Sequence, residues 1–167
     1  MIIVADTTPL ISLMKCDSLD VLQDLFGEVQ IPEAVYTELT SNPKFVEEAE
    51  VIAKSSFIHK VNIEDRKSVS LFKRATGLDL GESEAIVLSD NIHADFLLMD
   101  EVKGRKIALQ MGIRIMGTMG ILLLAYNSGI LGAEDIKEAV DLLRNTNRHI
   151  SEKLFEQLMN KIDQKEN

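Results

Sequence analysis

"MIIVADTTPLISL", residues 1–13, joins a short unbroken apolar run to an aspartate, two threonines and a proline. An apolar run without polar alternation is the pattern of a strand covered on both faces, as in a parallel sheet. The residues after it carry helix-start chemistry: Asp6 or a threonine as N-cap, and Pro9 near the first turn, where a missing N–H costs nothing. A buried strand running straight into a helix is the opening of a crossover unit. The question it raises is why such a strand ends on a carboxylate with hydroxyls beside it.

The same alternation continues along the chain. "EVQI" (28–31) precedes the helix "PEAVYTELTS" (32–41), "ADFLLM" (94–99) precedes "EVKGRKIALQMG" (101–112), and "IRIM" (113–116) precedes "TMGILLLAYNSG" (118–129), a helix read as capped by Thr118 and stopped by Gly129. "FIHKVNI" (57–63) alternates loosely, as an edge strand does. Helical patterns fill "SLDVLQDLF" (18–26), "KFVEEAEVIAKSS" (44–56), "EDRKSVSLFKRATG" (64–77), the stretch after Gly81 in "LDLGESEAIVLSDN", and the amphipathic "AEDIKEAVDLLRN" (133–145) and "ISEKLFEQLMNKID" (150–163). Strands alternating with helices imply right-handed crossovers and a sheet covered on both faces. The expected fold is one three-layer α/β/α domain with a central, mostly parallel sheet of four or five strands. No repeat, low-complexity segment or linker divides the 167 residues.

Composition sets outer limits. With 46% hydrophobic and 27% charged residues the chain reads as an ordinary globular protein with a sizeable core. The longest apolar stretch, "GILLLAYNSGIL", is interrupted by Asn127, Ser128 and Gly129 well short of a membrane span, so no transmembrane helix is expected. "MIIVAD" has no basic region ahead of an apolar run, so a cytoplasmic address is expected. The single cysteine, Cys16, forms no internal disulfide and reads as a small packing residue. His59, His93 and His149 are far apart and lack zinc-site spacing. The methionines fall at packing positions.

Net charge is −9, from 18 basic and 27 acidic residues. That argues against a surface built mainly for phosphate backbones. Carboxylates gathered around a divalent cation are neutralised by it, however, so the placement of the acids matters more than their sum. In open parallel sheets the site lies at the carboxyl ends of the strands. Asp6 and Asp100 both follow strands there. Each alone reads as an N-cap for the next helix. Glu38, in the helix after the second strand, alone reads as a solvated residue, and Glu82 or Glu84 in "GESEA" as a first-turn acid favoured by the helix dipole. Together they are four acidic positions from separate segments, a set that repels itself unless a cation sits in it.

The ordered set "VADTTPLISL", "IPEAVYTEL", "LDLGESEAIVLS", "LLMDEVKGRKIALQMGI" and "GTMGILLLAYNSGIL" resembles PIN-domain proteins, and more narrowly the branch related to VapC-type toxin ribonucleases. The resemblance covers roughly residues 1–132, and the C-terminal helices, 133–163, match nothing in it. It implies a metal-dependent endoribonuclease whose acids are Asp6 at the end of the first strand, Glu38, Glu82 and Asp100. Thr7 or Thr8 would help hold the site, and Thr118 matches the family's recurring Gly-Thr or is a plain N-cap. Spacing back from Asp100 favours Glu82 as the third acid, with Glu84 the alternative. That position is Asp in many PIN nucleases, so Glu there is a departure. Glu101 would add an outer-sphere ligand. The resemblance also implies Mg²⁺ or Mn²⁺ as cofactor, an RNA substrate, single-stranded or structured, a small antitoxin protein as partner, and a homodimer.

Hard carboxylate oxygens suit Mg²⁺ or Mn²⁺, which keep several waters and leave positions for phosphate. Asp6 and Asp100 are the candidate direct ligands, with Glu38 and Glu82 as ligands or holders of metal-bound water, one of them serving as general base. Lys103, Arg105 and Lys106 form a local basic run that either meets substrate phosphates or, for Arg105, pairs with Glu101 one helical turn away. A phosphatase or receiver domain of another α/β fold would also put Asp at strand ends. The phosphatase pattern wants a second Asp two residues after the first, where this chain has Thr8, and "IRIMGT" lacks the late Lys of a receiver. The stronger rival is a catalytically weak PIN-like module that binds nucleic acid or protein, its acids serving as caps and surface charge.

Overall fold

A computed structural model describes residues 1–146 and 152–166. Five strands, β1 (Ile3–Ala5), β2 (Val29–Pro32), β3 (Ile58–Val61), β4 (Phe96–Leu98) and β5 (Ile115–Met116), form one sheet in the order β3-β2-β1-β4-β5. Every pairing is parallel. The helices are α1 (Thr7–Lys15), α2 (Val21–Phe26), α3 (Glu33–Ser41), α4 (Val46–Lys54), α5 (Arg66–Thr76), α6 (Leu80–Asn91), α7 (Val102–Gln110), α8 (Thr118–Asn127), α9 (Ala133–Asn145) and α10 (Glu152–Glu166). A short 3₁₀ turn, Pro43–Phe45, links α3 to α4. His149 lies outside the described residues, as does the start of the final helix expected at residue 150.

The three layers follow from the pleat. Along β1, Ile3 and Ala5 pack into one apolar cluster and Val4 into another. On β4, Leu98 joins the first and Leu97 the second. Successive side chains leave opposite faces of a strand, so a strand apolar at every position must be covered twice. The first layer holds the buried faces of α1 to α4 and α8 to α10, and the second those of α5, α6 and α7. Ile3, Leu10, Leu22, Leu97, Leu98 and Ile121 are all below 2% exposed, so the sheet centre is dry.

Three local expectations need correction. Helix α6 begins at Leu80 rather than after Gly81, because Asp79 caps it: Asp79 Oδ1 accepts from Glu82 N at 2.8 Å and Glu82 Oε2 accepts from Asp79 N at 3.0 Å. The reciprocal capping box stabilises a first turn that includes a glycine. Thr118 is the first residue of α8, not its cap, which is Gly117. The second helix starts at Val21, because the chain first passes through a turn in which Asp17 takes a left-handed φ of 51°. Cys16 is a buried packing residue whose Sγ–H donates to Leu13 O.

Candidate functional site

Consecutive crossovers from β1 run outward to β2 and β3, then return past β1 to β4 and β5. The switch point lies between β1 and β4, and a crevice forms there at the strands' carboxyl ends. Ala5 is in register with Leu98, and Asp6 N donates to Leu98 O at 2.9 Å. Asp6 therefore stands beside Met99, with Asp100 one residue further along the neighbouring strand.

Asp6 occupies the N-cap position of α1 yet its side chain makes no capping hydrogen bond. It is 3% exposed. Burial pushes its carboxyl up from 3.8 to about 7; the Thr7 amide pulls the other way, while the charges of Asp79, Glu82 and Glu38 push it further up. A carboxylate that is desolvated, uncapped and faced by three other acids is unfavourable for the fold taken alone. Capping therefore fails to explain Asp6.

Each neighbouring acid has its own support. Buried Thr7 donates from Oγ1 to Glu38 Oε2 at 2.6 Å, so α1 sets the rotamer of an otherwise exposed residue on α3. Glu82 is tied into the capping box with Asp79. Its carboxyl is raised by partial burial, opposed by the Asp79 amide, raised again by Asp79 and Glu101, and lowered by Lys103. Asp79 is the acid that sequence reasoning missed. The Asp-x-x-Glu spacing of residues 79–82 before an apolar run was the available signal, masked by reading Gly81 as a helix break.

Asp100 has a different environment. Its Oδ1 accepts from Thr118 N at 2.7 Å and its Oδ2 from Thr118 Oγ1 at 2.6 Å. Helix α7 is capped instead by Glu101, whose Oε2 accepts from Gly104 N at 2.6 Å. The capping expectation thus belongs to Glu101, one residue along from Asp100. The Glu101–Arg105 pairing expected from their spacing does not form, because Arg105 Nη1 donates to Met99 O at 2.8 Å. A Cβ at Gly117 would fall 2.9 Å from Asp100 Oδ1 and 2.8 Å from Arg105 Nη1, so only glycine leaves both side chains where they are.

Pleating explains the division. Asp6 continues the face of Val4, toward α6; Asp100 continues the face of Leu98, toward α8. Asp6, Glu38 and Glu82 are brought into one electrostatic neighbourhood with Asp79, and Asp100 sits across the switch point with Thr118. Among the described residues, no three His, Cys, Asp or Glu side chains are close enough as placed to hold a metal ion. Glu84 is engaged elsewhere: it is 1% exposed, Oε2 accepts from Ala34 N at 2.9 Å in the first turn of α3, and Oε1 lies 2.6 Å from Arg66 Nη1 without hydrogen-bond alignment.

Two cavities flank the site, and neither is lined by Asp6 or Glu82. One, of about 550 Å³ between α3 and α6, is lined by Glu38, Asp79, Glu84 and Arg66 among others. The second, of about 850 Å³, runs between α1, α7 and α8 and includes Asp100, Thr118 and Thr8. His59 is exposed beside Glu28, and His93 is exposed with a left-handed φ of 52°; neither reaches either cavity.

The sequence profile of a family described as a PIN domain matches residues 2–164. The chain belongs to the PIN-domain family. The match takes in α9 and most of α10, beyond the segments that carried the sequence resemblance. No curated protein matches the chain. PIN domains are generally nucleases and typically use divalent metals, so this PIN domain has a nuclease-type fold, and its family points to nucleic acid as substrate. No helix among its described residues is long and apolar enough to cross a membrane.

Proposed function

We propose that this PIN domain is a metal-dependent endoribonuclease that hydrolyses RNA phosphodiester bonds, with Asp6, Glu38, Glu82 and Asp100 holding Mg²⁺ or Mn²⁺. One observation carries the reading: a buried, uncapped Asp6 with its carboxyl raised to about 7 beneath Glu38, Asp79 and Glu82. The fold tolerates that arrangement at a cost which a divalent cation offsets. The donor set fits such an ion, since every candidate ligand is a carboxylate oxygen. Glu82 must release the Asp79 amide to join it fully.

When bound, the ion activates water and neutralises charge developing on the phosphate. The chain's own residues do the rest. Asp6 would hold the ion in its ionised form, which burial disfavours while the site is without a cation. Thr118 fixes Asp100 with two donors, and Thr7 fixes Glu38 with one. Either Glu38, exposed and held by Thr7, or Glu82 would take a proton from the attacking water.

The test is cleavage of a mixed-sequence single-stranded RNA in Mn²⁺ by the wild type, Asp6→Asn and Asp100→Asn. Cleavage by the wild type alone, abolished by EDTA, supports the reading. Cleavage indifferent to both substitutions contradicts it. A binding module without catalysis is the second reading, favoured by the engagement of Glu82 and Asp100 in structural hydrogen bonds. It predicts retained RNA binding with no cleavage by any of the three proteins.

A further inference from the structure

Arg105, half-buried on α7, places a cation beside an acid proposed to hold a cation. Charge alone opposes that arrangement, since the guanidinium repels an incoming divalent ion. Helical spacing offers Glu101 as its partner, but Glu101 Oε2 is spent on the Gly104 amide. Arg105 turns back instead toward the start of α7, as helical side chains lean, and its Nη1 donates to Met99 O at 2.8 Å. That carbonyl stands one residue past the end of β4, and Met99 is fully buried. A buried carbonyl beyond its strand needs a donor, and here a charged one supplies it.

The corner it grips is the one that carries Asp100. Helix α7 presses on that corner so closely that a Cβ at Gly104 would fall 2.5 Å from Met99 Sδ. On the other side, the guanidinium and the Asp100 carboxylate both crowd the point a Gly117 Cβ would occupy, and Thr118, the next residue, supplies both donors to Asp100. We propose that Arg105 is a positioning residue for Asp100: by holding Met99 O, it fixes the corner from which the Asp100 carboxylate meets Thr118 and the ion. The ion's part in this rests on the metal-dependent reading above; the hold on Asp100 does not. Losing Arg105 costs Asp100 its placement, and that outweighs the relief of repulsion.

The Thr118 amide reports on Asp100 without any metal. It lies in the first turn of α8, where an N–H has no intrahelical partner, and Asp100 Oδ1 is its acceptor. The experiment follows that amide by NMR in EDTA and separately titrates Mn²⁺ by calorimetry. It uses the full chain as wild type, Arg105→Met, Arg105→Lys, Gly117→Ala and Lys73→Gln, the last removing an exposed charge on α5. Arg105→Met keeps the apolar stem and deletes the donor and the charge. Gly117→Ala keeps the guanidinium, and a φ of −94° with a ψ of 172° suits alanine, so it carries the test should Arg105→Met fail to fold. In both, the Thr118 amide proton is expected to move upfield and lose exchange protection, and Mn²⁺ affinity to fall about tenfold. Arg105→Lys should restore most of both, and Lys73→Gln should match the wild type. An unmoved Thr118 amide in folded Arg105→Met and Gly117→Ala, no rescue by Arg105→Lys, or Mn²⁺ affinity unchanged or raised in Arg105→Met, as loss of a repelling charge alone gives, would each overturn the proposal. Displaced Thr118 amides with no Mn²⁺ binding by the wild type leave Arg105 in its role and remove the ion-holding reading; Mn²⁺ binding by the wild type with unmoved amides does the reverse.

Discussion

Replacing Asp6 by Asn exchanges one heavy atom and removes a buried ionisable group whose charged form the fold disfavours. In the folded chain its carboxyl is raised from 3.8 to about 7, chiefly by burial. The unfolded chain ionises at the ordinary value. Between those two values the folded protein holds a proton the unfolded chain has released, so stability falls as pH rises through the window and the full penalty applies above about pH 7. Three units correspond to about 4 kcal/mol at most, at about 1.4 kcal/mol per unit. At roughly 2–4 °C per kcal/mol for a chain of this size, the ceiling is a Tm difference of about 8–16 °C. Thermal melts in EDTA at pH 5, 6, 7 and 8 measure it. Asp6→Asn should already exceed the wild type at pH 5, by a margin that grows up to about pH 7 and then levels off, and Mn²⁺ at pH 8 should raise only the wild-type Tm. Parallel pH profiles for the two proteins, or a variant less stable at pH 8, would refute the reasoning and return Asp6 to an ordinary structural role.

Thr118→Val keeps the backbone donor to Asp100 and deletes the hydroxyl one. It should lower Mn²⁺ affinity by about tenfold or more, read by titration, while the fold survives. Asp79→Ser retains a cap acceptor for Glu82 N but removes a charge facing Asp6. The pH dependence of Tm should flatten, with helix stability changed by only a few tenths of a kcal/mol. Glu84→Ala strips a partner from the Ala34 amide and from Arg66. It should cost about 2 kcal/mol, or a Tm fall of about 4–8 °C, with Mn²⁺ binding intact. Lost binding in a folded Glu84→Ala protein would make Glu84 the third ligand in place of Glu82.

The architecture was readable because the central strands β1 and β4 are unbroken apolar runs and the helices between the strands carry start and stop chemistry. Ile3–Ala5 and the pair Leu97 and Leu98 bury both faces, as strands of a parallel sheet between two helical layers do. The edge position of "FIHKVNI" followed from its alternation, and β3 is indeed at one edge. Boundaries failed where a glycine had two meanings. Gly81 looked like a breaker and is the second residue of α6, because the Asp79–Glu82 box outweighs its flexibility. Gly117 caps α8 where Thr118 was expected, since the Thr118 hydroxyl is taken by Asp100.

At the site, Asp6 and Asp100 were legible as acids at strand ends, while their surroundings were not. Strand pleating sends one toward α6 and the other toward α8, a parity that depends on where each strand stops pairing. Asp79 was hidden because its signature is that of a cap. Glu82 and Glu84 share one helix, and that Glu84 is engaged by the Ala34 amide and Arg66 depends on packing against α3 that spacing alone does not give.

The central claim is that Asp6 and Asp100, from neighbouring strands, act on one cation. Calorimetric titration of Mn²⁺ into the wild type, Asp6→Asn and Asp100→Asn, up to millimolar metal, tests it without any assumption about substrate. The expected result is saturable binding by the wild type that is lost in both variants while all three remain folded. No binding by the folded wild type, or binding that persists in either variant, would contradict it.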